Sequence, residues 1–111
     1  MHFLVTGTRA YGPANKDSDL DIVVLYKDVQ SITNFLIEHN ISAYSTPEQE
    51  DYGDLGGFYF NLADIRVNII IAHDEAELAL WNIRTEKMKK LPYIEDRATR
   101  LAVFKLDEIK L

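Results

Sequence analysis

Residues 7–22 have the sequence GTRAYGPANKDSDLDI, and this stretch decides how the rest of the chain is interpreted. Two acids, Asp19 and Asp21, stand in alternate positions just before the apolar residues 22–25. An apolar run this short and β-branched predicts a buried strand. Because side chains alternate across a strand, both acids should point to the same side, with Cα atoms about 6.6 Å apart. Two carboxylates at this spacing can share one hard metal ion.

A glycine turn precedes the acids. The predicted strand 2–6 runs into Gly7, which has no Cβ and lets the backbone turn sharply or approach a ligand closely. Thr8 offers a hydroxyl and a backbone N–H at the start of a short helical turn, where N–H groups and the local dipole favour phosphate. Arg9 either contacts a phosphate or is an ordinary exposed arginine in a turn. The sequence therefore predicts an anion site beside the two acids.

Gly7-Thr8, followed by Ser18-Asp19-Leu20-Asp21-Ile22 at the start of a strand, resembles the signature of the DNA-polymerase-β-like nucleotidyltransferases. The resemblance is to the minimal, single-domain type, and a weaker similarity in residues 67–70 and 81–104 extends to small bacteriophage proteins of this kind. It implies transfer of a nucleoside monophosphate to a hydroxyl, with Mg²⁺ or Mn²⁺ on the catalytic residues Asp19 and Asp21. The phosphates of the NTP substrate would contact a set of nearby residues: Gly7, Thr8 and Arg9, with Ser18 and Arg66 as further candidates.

The expected third metal ligand differs from the family pattern. In the family, a carboxylate flanked by aliphatic residues on a later strand completes the metal site, and the matching residues 67–70 carry Asn68 instead. Asparagine offers one neutral oxygen, but it lacks the charge that helps to hold a second cation and cannot accept a proton from a hydroxyl. Asp64 shares its face but lies about 13 Å away, too far to substitute. Arg66, on that face as well, either meets a phosphate or is an exposed strand arginine.

Residues 7–22 have features of three other kinds of segment. An EF-hand loop starting at Asp17 would need Gly at its sixth position and Glu at its twelfth, where the chain has Ile22 and Asp28. A P-loop fails because Pro13 and Ala14 stand where Lys and Ser or Thr are required. A half-exposed strand with two acids on its polar face remains open, although like charges on one face repel unless a cation lies between them.

Composition limits the class of protein. A chain of 111 residues, 47% hydrophobic and 11% aromatic, predicts one globular domain over residues 1–111. A formal net charge of −6 gives no overall basic field for non-specific binding to nucleic acid or to an anionic membrane. The chain has no cysteine and no apolar stretch long enough to span a membrane. We therefore expect a cytoplasmic protein.

The order of elements predicts an α/β (α+β) domain, a small mixed sheet packed with about three helices. Predicted strands cover residues 2–6, 20–25, 41–44, 58–62 and 65–71, and predicted helices cover 28–40, 74–90 and 94–110. Residues 46–57 predict a loop. In the second long helix we expect an apolar stripe of Ala76, Ala79, Leu80 and Ile83, flanked by core residues Trp81 and Met88. At the solvated end of that helix we expect Lys87, Lys89 and Lys90. On the last helix, the side chains expected to face the protein core are those of Ala98, Leu101 and Ala102.

Two functional hypotheses follow. The first is an active, metal-dependent nucleotidyltransferase that uses an NTP and a hydroxyl acceptor that the sequence does not identify. The second is a catalytically weak or inactive protein of the same fold, acting as a binding module or as a phage effector on a host protein. Asn68, the lack of a second domain and the acidic composition motivate the second hypothesis. A structural module working as a homo-oligomer is a third possibility.

Overall fold

The computed structural model describes residues 1–45 and 56–107. Within them, a four-stranded mixed sheet packs with four α-helices, which confirms the predicted α+β class. The elements in chain order are β1 (Phe3–Thr6), α1 (Thr8–Tyr11), β2 (Leu20–Leu25), a 3₁₀ turn (Tyr26–Asp28), α2 (Val29–Glu38), β3 (Gly57–Leu62), β4 (Ile65–Ala72), α3 (Glu75–Lys90) and α4 (Arg97–Phe104).

The strands lie in the order β1-β2-β4-β3, with β2 and β4 parallel at the centre. The two outer strands are antiparallel to their neighbours. This register places Asp21 directly opposite Asn68 on one side and opposite Thr6 on the other. Three polar residues therefore lie side by side at one level of the sheet.

Both faces of the sheet are covered. On one face, Val23 and Ile70 belong to a buried cluster with Trp81 of α3 and Phe104 of α4. On the other face, Val24 and Ile69 pack with Leu36 of α2. Because side chains alternate along each strand, Asp21 and Asn68 point to the α3 and α4 side, as do Val23 and Ile70.

The buried face of α3 differs from the predicted stripe. Ala76, Ala79 and Ile83 are exposed, and Leu80 is half-buried. The buried residues of this face are Leu78, Trp81, Thr85 and Met88, so the prediction that Trp81 and Met88 belong to the core is confirmed. The apolar pattern missed Thr85 because its hydroxyl is satisfied inside the core: it donates to the carbonyl oxygen of Trp81 at 2.8 Å and lies 2.7 Å from the Thr6 hydroxyl.

Contrary to the prediction from the sequence, Lys87 does not lie at a solvated helix end. It is 7% exposed, and its Nζ donates to the main-chain carbonyls of Val103, Phe104 and Leu106 at 2.7, 3.0 and 2.7 Å. Carbonyls at the end of a helix have no partner within the helix and attract a cation. Lys87 therefore fastens the end of α4 to α3.

We predict that Lys87→Met lowers the free energy of unfolding by about 2 kcal/mol, because the carbonyls lose charge-assisted hydrogen bonds while the aliphatic stem is kept. Lys89→Met is the matched control, since Lys89 is exposed and contacts only Glu86 among the described hydrogen bonds. Urea denaturation measures both variants. Equal stability of the two variants would contradict the role given to Lys87.

The other differences concern element ends. The predicted strand 41–44 is reduced to one bridge between Tyr44 and Tyr59, and the last helix covers Arg97–Phe104 instead of 94–110. Asp96 is the N-cap of that helix: its carboxylate accepts a hydrogen bond from the Thr99 N–H at 2.9 Å. The prediction that Ala98 and Ala102 face inward is wrong, since both are exposed; Leu101 is half-buried, and Phe104 is the buried residue of this helix. Most of the predicted loop 46–57 lies outside the described residues, as do residues 108–111.

Candidate functional site

A cavity of about 740 Å³ opens between the start of β2 and the helices α1, α3 and α4. Small-molecule sites in proteins typically have volumes of roughly 300–1,000 Å³. The first part of the chain contributes Thr6, Gly7, Thr8, Tyr11, Asp19 and Asp21 to its lining. The helices α3 and α4 contribute Leu80, Trp81, Arg84, Arg97, Arg100, Leu101, Phe104 and others. One cavity thus brings acidic, basic and aromatic side chains together.

Gly7 lies against the carboxylate of Asp21. Its φ of 73° is in the left-handed region, and a Cβ built on it would collide with Asp21 Oδ2. Its carbonyl accepts from the N–H groups of Ala10 and Tyr11 at 2.9 and 3.1 Å, which starts α1. Both the turn and the close approach require glycine, and the sequence predicted this turn.

Asp21 is a buried carboxyl group, 8% exposed. Burial raises its pKa from 3.8 to about 6, and the Asp19 charge adds to this effect. The hydrogen bond from Asn68 Nδ2 to Asp21 Oδ1, at 3.2 Å, opposes the shift, as does the charge of Arg66. Near neutral pH the site therefore holds a poorly solvated negative charge, which a cation would stabilise.

Asp19 makes a different set of contacts. The guanidinium of Arg66 donates from Nε to Oδ1 at 2.9 Å and from Nη2 to Oδ2 at 2.7 Å. The Arg66 guanidinium also lies over the ring of Tyr59, 4.6 Å from its centroid. The hydrogen bonds with Asp19 raise the pKa of Arg66. Asp19 lines the cavity, but both of its carboxylate oxygens already accept hydrogen bonds from the Arg66 guanidinium.

Asn68 is 1% exposed and lies beside Asp21 through the register of the parallel strands. An amide can donate to a carboxylate, whereas a second carboxylate at this position would repel Asp21. The chain thus brings Asn68 to the acids, as the sequence predicted, but directs a donor group toward Asp21. Asn68 does not line the cavity.

Arg9 and Ser18 lie outside the cavity lining. Arg9 donates from Nε and Nη2 to the Ser18 carbonyl at 3.0 and 2.7 Å, and from Nη2 to the Asn15 carbonyl at 3.4 Å. The Ser18 hydroxyl accepts from the Asn15 N–H at 2.9 Å. Both residues hold the turn that leads into Asp19, so their geometry accounts for the position of the acid.

Sequence reasoning missed the α3 and α4 side of the cavity. Four residues that were not among the predicted site residues line the cavity: Arg84, Arg97, Arg100 and Lys105. Arg84 pairs with Asp107 through Nε to Oδ1 at 2.8 Å and Nη2 to Oδ2 at 3.0 Å. The available signal was the helical spacing of basic residues in the last helix.

Among the described residues, no group of three or more His, Cys, Asp or Glu side chains is arranged to hold a metal ion. Within the same residues, no helix has the length and apolar character needed to cross a membrane. No protein-family model matches the chain. No curated protein shows a significant match either.

Proposed function

We propose that the protein binds a nucleoside triphosphate with Mg²⁺ or Mn²⁺ in this cavity and transfers its nucleoside monophosphate to a hydroxyl acceptor in the cytoplasm. The acceptor oxygen forms a bond to the α-phosphorus, the bond to the β-phosphate breaks, and pyrophosphate and the hydroxyl proton are released. One observation carries the proposal: Gly7, Thr8, Asp19 and Asp21 line a single cavity. These are the residues on which the resemblance to nucleotidyltransferases rests. Their convergence around a volume suited to a small ligand supports a common role.

The donor set fits a hard cation. Asp19 and Asp21 offer carboxylate oxygens, and Mg²⁺ is commonly held by one or two carboxylates together with substrate phosphates and water. Asn68 fits less well as a ligand, since its amide donates to Asp21. When bound, the cation would neutralise charge that develops on the phosphates during transfer.

The remaining roles fall to side chains of the cavity wall. Thr8 has a hydroxyl able to donate a hydrogen bond to a phosphate oxygen. Asp21 would hold the cation, which compensates the poorly solvated negative charge of this buried carboxylate. Tyr11 provides aromatic surface for the base or the ribose.

Arg66 competes with a cation for Asp19 in this scheme. We predict that Arg66→Gln raises the affinity for Mn²⁺ about five-fold, equivalent to about 1 kcal/mol, because Asp19 no longer shares its oxygens with a guanidinium. Calorimetric titration measures the change. Lys27→Gln, which removes the same charge from an exposed residue outside the cavity lining, is the control. Weaker Mn²⁺ binding by Arg66→Gln than by the control would contradict the competition.

A binding module without catalysis is the second candidate. It is favoured by the observation that both acids have protein partners, Arg66 for Asp19 and Asn68 for Asp21. Transfer of radiolabel from an α-labelled NTP in Mg²⁺ distinguishes the two candidates. Activity that is lost in Asp19→Asn and in Asp21→Asn supports the transferase, whereas nucleotide binding with no transfer to any hydroxyl offered supports the binding module.

A further inference from the structure

The cavity is more basic than the protein as a whole. The chain has 12 Lys and Arg against 18 Asp and Glu. The cavity is lined by four basic residues, Arg84, Arg97, Arg100 and Lys105, against three acidic ones, Asp19, Asp21 and Glu77. The acids Asp19 and Asp21 come from the start of β2, whereas all four basic residues come from α3, α4 and the residue after α4. Apart from Glu77, which lies on α3, the acidic and the basic side chains therefore belong to different walls of the cavity.

The helix α4 and the residue that follows it supply three of the basic side chains. Arg97 and Arg100 are three residues apart on α4, with Leu101 and Phe104 on the same face, and Lys105 comes directly after the helix. At 1.5 Å per residue, the row from Arg97 to Lys105 extends about 12 Å along the helix. A row of this length can contact several charged groups of one ligand.

This helix face is held in place by its packing. Phe104 is 5% exposed, with its ring centroid 5.2 Å from that of Trp81, and Lys87 binds the carbonyls at the end of the helix. Arg100 is oriented through Nη1, which donates to the Tyr93 hydroxyl and to the Ile94 carbonyl at 3.0 Å each. An arginine directed in this way loses less conformational freedom when it binds an anion.

We infer that the α4 side of the cavity is a phosphate-binding subsite, made by Arg97, Arg100 and Lys105 and separate from the acids at the start of β2. Guanidinium groups match the geometry of phosphate oxygens and form short, charge-assisted hydrogen bonds with them. The inference rests on the proposed function only for the source of the phosphate. That source is the terminal phosphates of the nucleotide or a phosphate group on the acceptor.

The test uses inorganic tripolyphosphate without metal, in EDTA and low salt, titrated calorimetrically into the full chain. We expect binding by the wild type and about ten-fold weaker binding by Arg97→Gln/Arg100→Gln, the loss of one to two charge-assisted contacts. Lys89→Gln/Lys90→Gln removes the same charge from residues that do not line the cavity, and should bind within about two-fold of the wild type. No binding by the wild type, or an equal loss in both double variants, would overturn the inference.

A second variant is needed because substitution of Arg100 also removes its hydrogen bonds to Tyr93 and Ile94. Lys105→Gln changes an exposed side chain at the end of α4, and thermal melting will show whether it is folded. It should weaken tripolyphosphate binding about three-fold relative to Lys89→Gln, as expected for one partly exposed charge. Unchanged binding in folded Lys105→Gln together with unchanged binding in the arginine double variant would exclude this face as the site.

The same titrations separate this inference from the proposed function. The Asp19→Asn/Asp21→Asn variant should retain metal-free tripolyphosphate binding, since the subsite does not use the acids. Loss of that binding would contradict the separation of the two sites.

Adding an NTP with Mg²⁺ to protein saturated with tripolyphosphate then identifies the source of the phosphate. Competition supports the subsite and identifies the phosphates of the nucleotide, whereas simultaneous binding supports it and identifies a phosphorylated acceptor.

Discussion

Asp21→Asn is expected to raise the free energy of unfolding at neutral pH by up to about 3 kcal/mol, the equivalent of a pKa that moves from 3.8 to about 6. Between those two pH values the folded carboxyl retains a proton that the unfolded chain has released. The stability of the wild type therefore falls as the pH rises from about 4 to about 6, and levels off above that. Asparagine cannot ionise, so the variant should not show this decline. It keeps a side-chain oxygen that can accept from Asn68.

Urea denaturation at several pH values between 4 and 8 measures this effect. Asp64→Asn is the matched control, since Asp64 is exposed in the turn between β3 and β4 and its substitution should change stability by less than about 0.5 kcal/mol. Profiles of wild type and Asp21→Asn that stay parallel across the pH range would contradict the buried, poorly solvated state of Asp21. Under the proposed function the same variant loses metal-dependent nucleotide binding, so a gain in stability accompanies a loss of function.

Gly7→Ala is expected to lower the free energy of unfolding by about 3 kcal/mol, from left-handed backbone strain and from the collision of the new Cβ with Asp21. Gly56→Ala separates the two causes. Gly56 also has a positive φ, of 66°, but no atom of the described residues lies within 4 Å of the position of its Cβ. It should lose only about 1 kcal/mol.

A double-mutant cycle with Asp21→Ala tests the contact itself. Removing the carboxylate should reduce the effect of Gly7→Ala to that of Gly56→Ala, because the collision disappears while the backbone strain remains. Denaturation midpoints and slopes of the four proteins give the coupling energy. A coupling energy near zero would mean that Gly7 and Asp21 do not approach each other as described.

Local pattern was sufficient to predict the centre of the sheet. Short, β-branched apolar runs predicted both β2 and β4. Only the strands and the spacing of the acids depend on residues close together in the chain, which is why local pattern predicted them. Asn68 is 47 residues from Asp21 and was singled out by the resemblance to nucleotidyltransferases alone; the register of the parallel strands places it beside Asp21.

Features that depend on distant partners were missed. Arg66 and Asp19 are 47 residues apart, and the carbonyls that Lys87 binds lie 16 to 19 residues away. Thr85 is buried because Thr6, 79 residues earlier, satisfies its hydroxyl. Periodicity within one helix contains no information about such partners, so polar residues that fold inward were assigned to the surface.

The central claim is that Asp19 and Asp21 bind a divalent cation, and that a nucleotide binds in this cavity through that cation. Its most direct test is a calorimetric titration of each NTP in Mg²⁺ or Mn²⁺, on the wild type and on the Asp19→Asn/Asp21→Asn variant, with EDTA as the metal-free control. We predict metal-dependent nucleotide binding by the wild type and its loss in the variant. No binding by the wild type, or equal binding by both proteins, would contradict the claim.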